Sequence, residues 1–316
     1  MCGILGMWSP AGIELKQVAR LSAMMSHRGP DASGLHVDEK ANLALAHQRL
    51  KILDLSDGAN QPMRSPDGRF TLIYNGEIVN FRAVRAAYKG NWIFRTESDS
   101  EVLLATFAAH GLAAAHQWVG MFAFAIHDAG AQKLYLQRDR FGIKPLYLAD
   151  LPGGGLAFSS EIPPLLELLS TRRADEDTIL TYLERGEYDC GRNTFFAGIT
   201  ALEPGCALTI DLACGTRTET RWYSLTDHLR DLSDASFEDL AQEGADLVEQ
   251  AISDHLIADV SVGLNVSGGV DSSVLVGVAK QRLPELHVFS QDYPAPYSEA
   301  AWVRKVADGT HLHLCE

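Results

Sequence analysis

The residues with types suited to covalent chemistry begin at the second position, where Cys2 directly follows the initiator Met. A small second residue allows that Met to be removed. Cys2 would then carry both a thiol and a free α-amine, whose ordinary pKa is about 8. Such an amine can take the thiol's proton, the N-terminal form of an activated nucleophile. A thiolate attacking an amide needs donors for the developing oxyanion. Asn75 can offer a side-chain amide and Gly76 a backbone N–H, and Gly permits close backbone approach. An amino-acid substrate also needs a cation for its α-carboxylate, which suits Arg49, and an anion for its α-ammonium, which suits Asp99. Each residue has an ordinary reading too: Cys2 as a small apolar residue in a first strand, Asn75-Gly76 as a turn, Asp99 as a helix cap, and Arg49 as a surface charge. Taken singly, the ordinary readings are the better ones.

A second constellation lies far along the chain. Ser267-Gly268-Gly269-Val270-Asp271-Ser272-Ser273 follows an apolar run and opens a helical pattern. A glycine-rich turn at a helix N-terminus aims N–H groups and the positive dipole end at an anion. The serine hydroxyls add donors, and Asp271 could help organise the Mg²⁺ that accompanies pyrophosphate. The motif lacks the Lys of a Walker A loop.

Different elements must position these two groups. Leu43 to Leu53, Phe70 to Asn75, Met121 to Asp128, Lys133 to Gln137 and Leu156 to Ser159 read as strands, separated by Asp57-Gly58, Pro66-Asp67-Gly68, Ala129-Gly130 and Gly153-Gly154-Gly155. Apolar stripes predict helices over Leu15 to Met25 and Ser100 to His110. Many strands with a few covering helices imply packed sheets flanked by helices over residues 1–210. Beyond a linker at 211–235 the pattern changes. Ser236 to Asp239 has the form of a capping box and opens a helix with an acidic outer face. Strand Val262 to Val266, helix Ser272 to Arg282, strand His287 to Gln291, helix Ser298 to Ala307 and strand His311 to Leu314 then alternate, as in a parallel sheet over 236–316.

Composition limits the function classes. The 316 residues carry 41 Asp and Glu against 27 Lys and Arg, for a net charge of −14, which disfavours binding nucleic acid by its phosphates. Ten carboxylates against one Arg between Leu225 and Asp259 supply −9 of that charge, best read as a solvated helix face. No basic leader precedes the apolar start and no run is long enough for a membrane span. The five cysteines, Cys2, Cys190, Cys206, Cys214 and Cys315, form no CxxC pair. That argues against a disulfide framework or zinc site and for a reducing cytoplasm, with the last four as ordinary free thiols. His27 reads as structural, because the α-amine already supplies a base.

The chain resembles the glutaminase domain of the class II, N-terminal nucleophile glutamine amidotransferases. The matching pieces are Cys2-Gly3-Ile4, His27 to Asp31, Gln48-Arg49-Leu50, Asn75 to Ile78, Ser98 to Glu101, Gly120 to Phe124 and Arg138 to Tyr147, in order. The resemblance implies an αββα sandwich, Cys2 as nucleophile, Asn75 and Gly76 as the oxyanion hole, and Arg49, Asn75, Glu77 and Asp99 as the glutamine site. The second constellation resembles the pyrophosphate loop of ATP pyrophosphatases, implying an incomplete Rossmann-like domain. There the resemblance implies that Val266, Ser267, Gly268, Gly269, Asp271, Ser272, Ser273 and Gln291 bind ATP, with Mg²⁺ at Asp271. The join, Thr194 to Ile199 then Leu202 to Gly205, is similar to the bridging segment of glutamine-hydrolysing asparagine synthetases. The chain departs from that family at Pro163, where Lys is common, and at Gln291-Asp292, where an apolar residue and Gly are usual.

By that resemblance the expected partners are glutamine and aspartate, with a homodimer as the assembly to test. The acceptor stays open: a ligase for another carboxylate, or a remnant with glutaminase activity alone, are the alternatives. Three strands in the region around the loop are few for a doubly wound nucleotide domain, so the expectation is a fragment: one whole glutaminase of about 210 residues and part of a nucleotide domain.

Overall fold

The strand that follows Cys2, Gly3–Trp8, is buried along its whole length. A strand apolar on both faces must be covered from both sides, and the computed structural model shows how. It describes residues 1–88, 90–188, 191–294 and 296–315, and the chain divides into two units, residues 1–229 and 230–316.

Among the described residues the first unit holds strands β1 (Gly3–Trp8), β2 (Ala32–Asp38), β3 (Leu43–Arg49), β4 (Met63–Arg64), β5 (Phe70–Ile78), β6 (Gly120–Asp128), β7 (Lys133–Arg138), β8 (Tyr147–Leu151), β9 (Gly155–Ser159), β10 (Ile199–Ala201), β11 (Cys206–Asp211) and β12 (Arg217–Arg221). Its α-helices are α1 (Leu15–Ala23), α2 (Phe81–Ala87), α3 (Asp99–His110), α4 (Ile162–Leu166) and α5 (Glu176–Arg185). The strands form two six-stranded sheets, in the orders β10-β8-β9-β1-β3-β2 and β12-β11-β7-β6-β5-β4. Ile4, Trp8, Leu43 and Leu45 from the first sheet share a core with Ile73, Ala123, Ala125, Leu134, Leu136, Leu208 and Ile210 from the second. The other face of the first sheet packs Leu5, Met7, Ala44 and Ala46 against Val18, Leu21 and Met25 of α1 and its neighbourhood and Leu165 of α4. On the second sheet, Phe107 of α3 sets its ring edge-on to Phe70, Phe124 and Tyr135. The layers are therefore helix, sheet, sheet, helix, the αββα sandwich.

Some boundaries differ from the sequence reading for local reasons. The strand expected over Leu43 to Leu53 stops at Arg49, where the chain turns out to build a loop around that side chain. Helix α3 starts one residue early because Ser98, not Asp99, is its cap: the Ser98 hydroxyl accepts from Glu101 N. The expected linker at 211–235 is partly sheet. Arg217–Arg221 pairs antiparallel with Cys206–Asp211, although all its side chains are exposed. Alternating charged and threonine residues hid an edge strand that Arg192–Glu219 and Arg221–Glu203 ion pairs fasten.

In the second unit, α6 (Phe237–His255) is capped by Ser236, which accepts from Asp239 N and donates to its carboxylate. Its acidic face is exposed, and so are Phe237 and Val248 of its apolar face. Strands β13 (Gly263–Asn265), β14 (His287–Gln291) and β15 (His311–Cys315) form a parallel sheet in that order. Helices α7 (Val270–Arg282) and α8 (Ala300–Val306) contribute Val276, Ala279, Ala300 and Val303 to its buried side, with Val266, Leu286 and Val288. Cys206, Cys214 and Cys315 are free thiols; Cys190 lies outside the described residues. No described helix is long and apolar enough to cross a membrane.

Candidate active site

The site is assembled by register. Strand β1 pairs with β3 so that Gly3 faces Gln48, which sets Cys2 beside Arg49 and Leu50. The Leu50 N–H donates to Cys2 Sγ at 3.4 Å, and the thiol lies 3.8 Å from the Leu50 carbonyl. Arg28 Nε donates to the Cys2 carbonyl at 2.9 Å, while its Nη1 and His27 Nε2 both meet Glu161. Cys2 is thus held by Leu50 and Arg28, and Glu161 in turn fixes Arg28. Burial raises the Cys2 thiol pKa, against the Leu50 hydrogen bond and the nearby amino terminus, which lower it.

Strand β5 of the facing sheet supplies Asn75 and Gly76. Asn75 is 1% exposed, and its Nδ2 has no hydrogen-bond partner among the described residues. A buried, unmade donor is costly in a finished fold, and here it borders a cavity. Gly76 is fixed by space: a Cβ there would stand 2.4 Å from the Met121 carbonyl and 2.8 Å from Phe122 Cα. The turn reading of Asn75-Gly76 therefore fails, since both lie within β5, opposite Ala123 and Phe122.

Asp99 opens α3. Its Oδ2 accepts from Tyr74 OH at 2.7 Å and from Ile78 N at 3.0 Å. Burial raises its pKa, and these bonds hold it down in part. Arg49 is buried rather than a surface charge. Its Nη1 donates to Ser56 O and Asn60 Oδ1, both at 2.7 Å, and its Nη2 to Leu53 O and Asp54 O. All four partners are neutral oxygens, so the guanidinium keeps its charge while ordering loop 53–60.

One cavity of about 330 Å³ collects Cys2, Arg49, Asn75, Gly76, Glu77 and Asp99, every residue expected there from sequence. Met1, Leu50, Tyr74, Met121 and Lys144 complete much of its lining. The sequence reading missed Lys144. It is buried, its pKa is lowered by that burial, and its backbone N is pinned by Asp139. The segment Arg138 to Tyr147 was the available signal. Arg28 and Glu161 were also missed as a pair, because 133 residues separate them.

In the second unit a separate cavity of about 470 Å³ is lined by Val266, Ser267, Ser272 and Gln291, with Ser290, Tyr293 and Glu299 among the rest. Gly268 and Gly269 belong to the adjoining turn, Asp271 and Ser273 to the first turn of α7, and none of the four lines it. Gly268 has φ +78°, which favours glycine, and a Cβ would meet Trp302 Cβ at 2.9 Å. Gly269 caps α7, whose Ser272 and Ser273 hydroxyls turn back to its carbonyl. A bound anion would have to draw them away.

A Cys at the second position of an αββα sandwich, sharing a cavity with a buried amide donor, is the arrangement of an amidotransferase of the N-terminal nucleophile class. The chain belongs to the glutamine amidotransferase domain family, whose model matches residues 1–223. Residues 243–315 match the model described as asparagine synthase. Among curated proteins the chain is 32% identical to "Asparagine synthetase [glutamine-hydrolyzing] 1" of Bacillus subtilis (strain 168), over 92% of this chain and 45% of that protein. It is 29% identical to "Asparagine synthetase B [glutamine-hydrolyzing]" of Escherichia coli (strain K12), over 93% of this chain and 50% of that one. The chain spans about half the length of these curated relatives. A solved structure described as the allosteric regulatory enzyme of purine biosynthesis aligns at TM-score 0.52 and 14% identity, covering 99% of this chain and 80% of that one, a likeness of fold.

Proposed function

We propose that the first unit hydrolyses glutamine at Cys2, and that in the whole protein the ammonia serves ATP-dependent amidation of aspartate to asparagine. The observation that carries the first step is the unsatisfied Asn75 Nδ2 bordering the same cavity as the Cys2 thiol. The charges of Arg49 and Asp99 suit the α-carboxylate and α-ammonium of the substrate, and Glu77 offers a second anion. The Cys2 amine, freed of Met1, takes the thiol proton. Sulfur bonds to the amide carbon, and the oxyanion is held by Asn75 Nδ2 and the Gly76 N–H. Collapse breaks the carbon–nitrogen bond, ammonia leaves with the proton returned by the amine, and water then cleaves the thioester to glutamate.

The amidation rests on the match of residues 243–315 and on the Ser267–Ser273 turn at the N-terminus of α7. Backbone N–H groups there suit pyrophosphate, and Val266 and Gln291 border the adjacent cavity. Asp271 is a single carboxylate in the first turn of α7, which fits Mg²⁺ held mainly by substrate phosphates. Bound there, the ion would neutralise phosphate charge. A cytoplasmic enzyme acting on small molecules, without nucleic acid or membrane, fits the acidic balance.

The test is an assay of glutamate release from glutamine, with and without ATP-Mg²⁺ and aspartate. Glutamate without added nucleotide is the expected result for the first unit. Its absence from N-terminally processed protein would overturn the reading. Asparagine and AMP in the complete reaction would establish the second step for this chain.

A further inference from the structure

Lys144 borders the same cavity as the Cys2 thiol, yet no step above uses it. It is 7% exposed. Its backbone is fixed at both ends: the N–H donates to Asp139 Oδ2 at 3.0 Å, and the carbonyl accepts from Arg138 Nε at 2.8 Å. The side chain on this rigid mount makes no ion pair among the described residues. Its Nζ donates to Met1 Sδ at 3.1 Å, and a thioether sulfur is a weak acceptor. A buried ammonium without an anionic partner is costly. Removal of Met1 takes even that sulfur away and leaves the ammonium beside the new amino end of the chain. Arg28 is the second cation there, with Nε on the Cys2 carbonyl, but Glu161 pairs with it. The charge of Lys144 has no such partner.

We propose that Lys144 keeps the α-amine of processed Cys2 in its neutral, proton-accepting form by placing an unpaired positive charge beside it. The inference rests on the glutaminase reading and deepens it. Lys144 acts through the amine rather than on the substrate, and is a positioning residue. The amine takes the thiol's proton and passes it to the departing ammonia, while Lys144 keeps its own proton throughout. A like charge close by disfavours the protonated form of an amine. The amino group of Met1, one residue further out, already shows the sense of the effect. Burial lowers its pKa most, the Cys2 thiol opposes, and Arg28 and Lys144 lower it further. Burial also lowers the Lys144 pKa, against Glu77 and Asp139, which favour its ammonium. The other charged groups around the amine are accounted for. His27 and Glu161 are joined to each other and to Arg28. Arg49 at the end of β3 is occupied by neutral oxygens. Asp139 is occupied by backbone N–H groups. Glu77 on β5 and Asp99 at the start of α3 border the cavity and favour a charged amine, which Lys144 offsets.

The experiment is the pH dependence of kcat/KM for glutamate release by the full, N-terminally processed chain, with Tm as the check on folding. The parent is compared with Lys144→Met and Lys144→Arg. The acid limb of the parent's profile reports the amine that must be neutral. Loss of the like charge should move that limb up by about one pH unit or more. Lys144→Met should then be about tenfold slower on the acid side of the limb and approach the parent's rate above it. Lys144→Arg, which keeps the charge, should keep the parent's limb. Should Lys144→Met not fold, Lys144→Gln gives the same comparison. A limb that stays in place in the neutral variant, or a loss of rate equal at every pH, would overturn this inference and leave the glutaminase reading standing. No glutamate release by the parent would overturn both.

Discussion

The Leu50 amide reaches the Cys2 sulfur from the neighbouring strand end, N to Sγ 3.4 Å. A backbone donor on a sulfur favours its thiolate, and this one is fixed by the β1–β3 register. It opposes the burial that raises the thiol pKa. The sandwich thus supplies one preset aid to ionisation before any substrate arrives. Cys2→Ala should therefore abolish glutamate release while leaving the fold and Tm nearly unchanged, since a small side chain is replaced at the end of a strand. Steady-state assay and thermal unfolding of the same preparation check this.

Asn75→Ala removes the cavity's unmade side-chain donor. Loss of one oxyanion donor typically lowers kcat by about 10²–10³. The expectation is a fall of that size in kcat with KM changed little. An equal loss appearing wholly in KM would place Asn75 in ground-state binding instead.

Arg49→Lys keeps the charge but not the fork. One ammonium cannot serve Ser56, Asn60, Leu53 and Asp54 together. Loop 53–60 should loosen, and KM for glutamine should rise by about tenfold or more with a smaller effect on kcat. Hydrogen exchange of that loop provides the independent readout.

Asp139 is a stability prediction. It is 1% exposed, and its carboxylate accepts from the backbone N–H groups of Phe122, Phe141, Ile143 and Lys144. Asp139→Ala strands those donors and should cost about 3 kcal/mol or more, at roughly 1–3 kcal/mol for each group that water cannot reach. Urea unfolding at neutral pH measures it.

His47 should make stability depend on acidity. Burial lowers its pKa to about 4 against 6.5, although its Nε2 donates to the Tyr74 carbonyl. The unfolded chain then binds more protons between those values, so stability is lost as pH falls from 6.5 toward 4 and levels off below. At 1.36 kcal/mol per pH unit the loss is about 3 kcal/mol. In His47→Gln that part of the pH dependence should flatten, as unfolding free energies from pH 4 to 7 would show.

What the sequence made legible was local. Hydrophobic runs announced β3, β5 and β6, Ser236 announced the cap of α6, and the serine-glycine turn announced the start of α7. The site residues stood out through type and order. What stayed hidden depends on contacts distant in sequence. Arg28 matters because Glu161 comes back beside it, and Lys144 because Asp139 folds its loop inward. β12 was hidden because an edge strand needs no apolar residue. Arg49 looked like an exposed charge because three of its four partners are backbone carbonyls, which every sequence contains.

The placing of β1 between β3 and β9, deep inside its sheet, has a practical outcome. The chain's first bond sits at the lip of a chamber, and Met1 already lines it. A residue left ahead of Cys2 would block the amine even where, as with Met1, much of it stays exposed to solvent. Preparations carrying amino-terminal fusions should be inert however well they fold, and one proteolytic cut should switch them on.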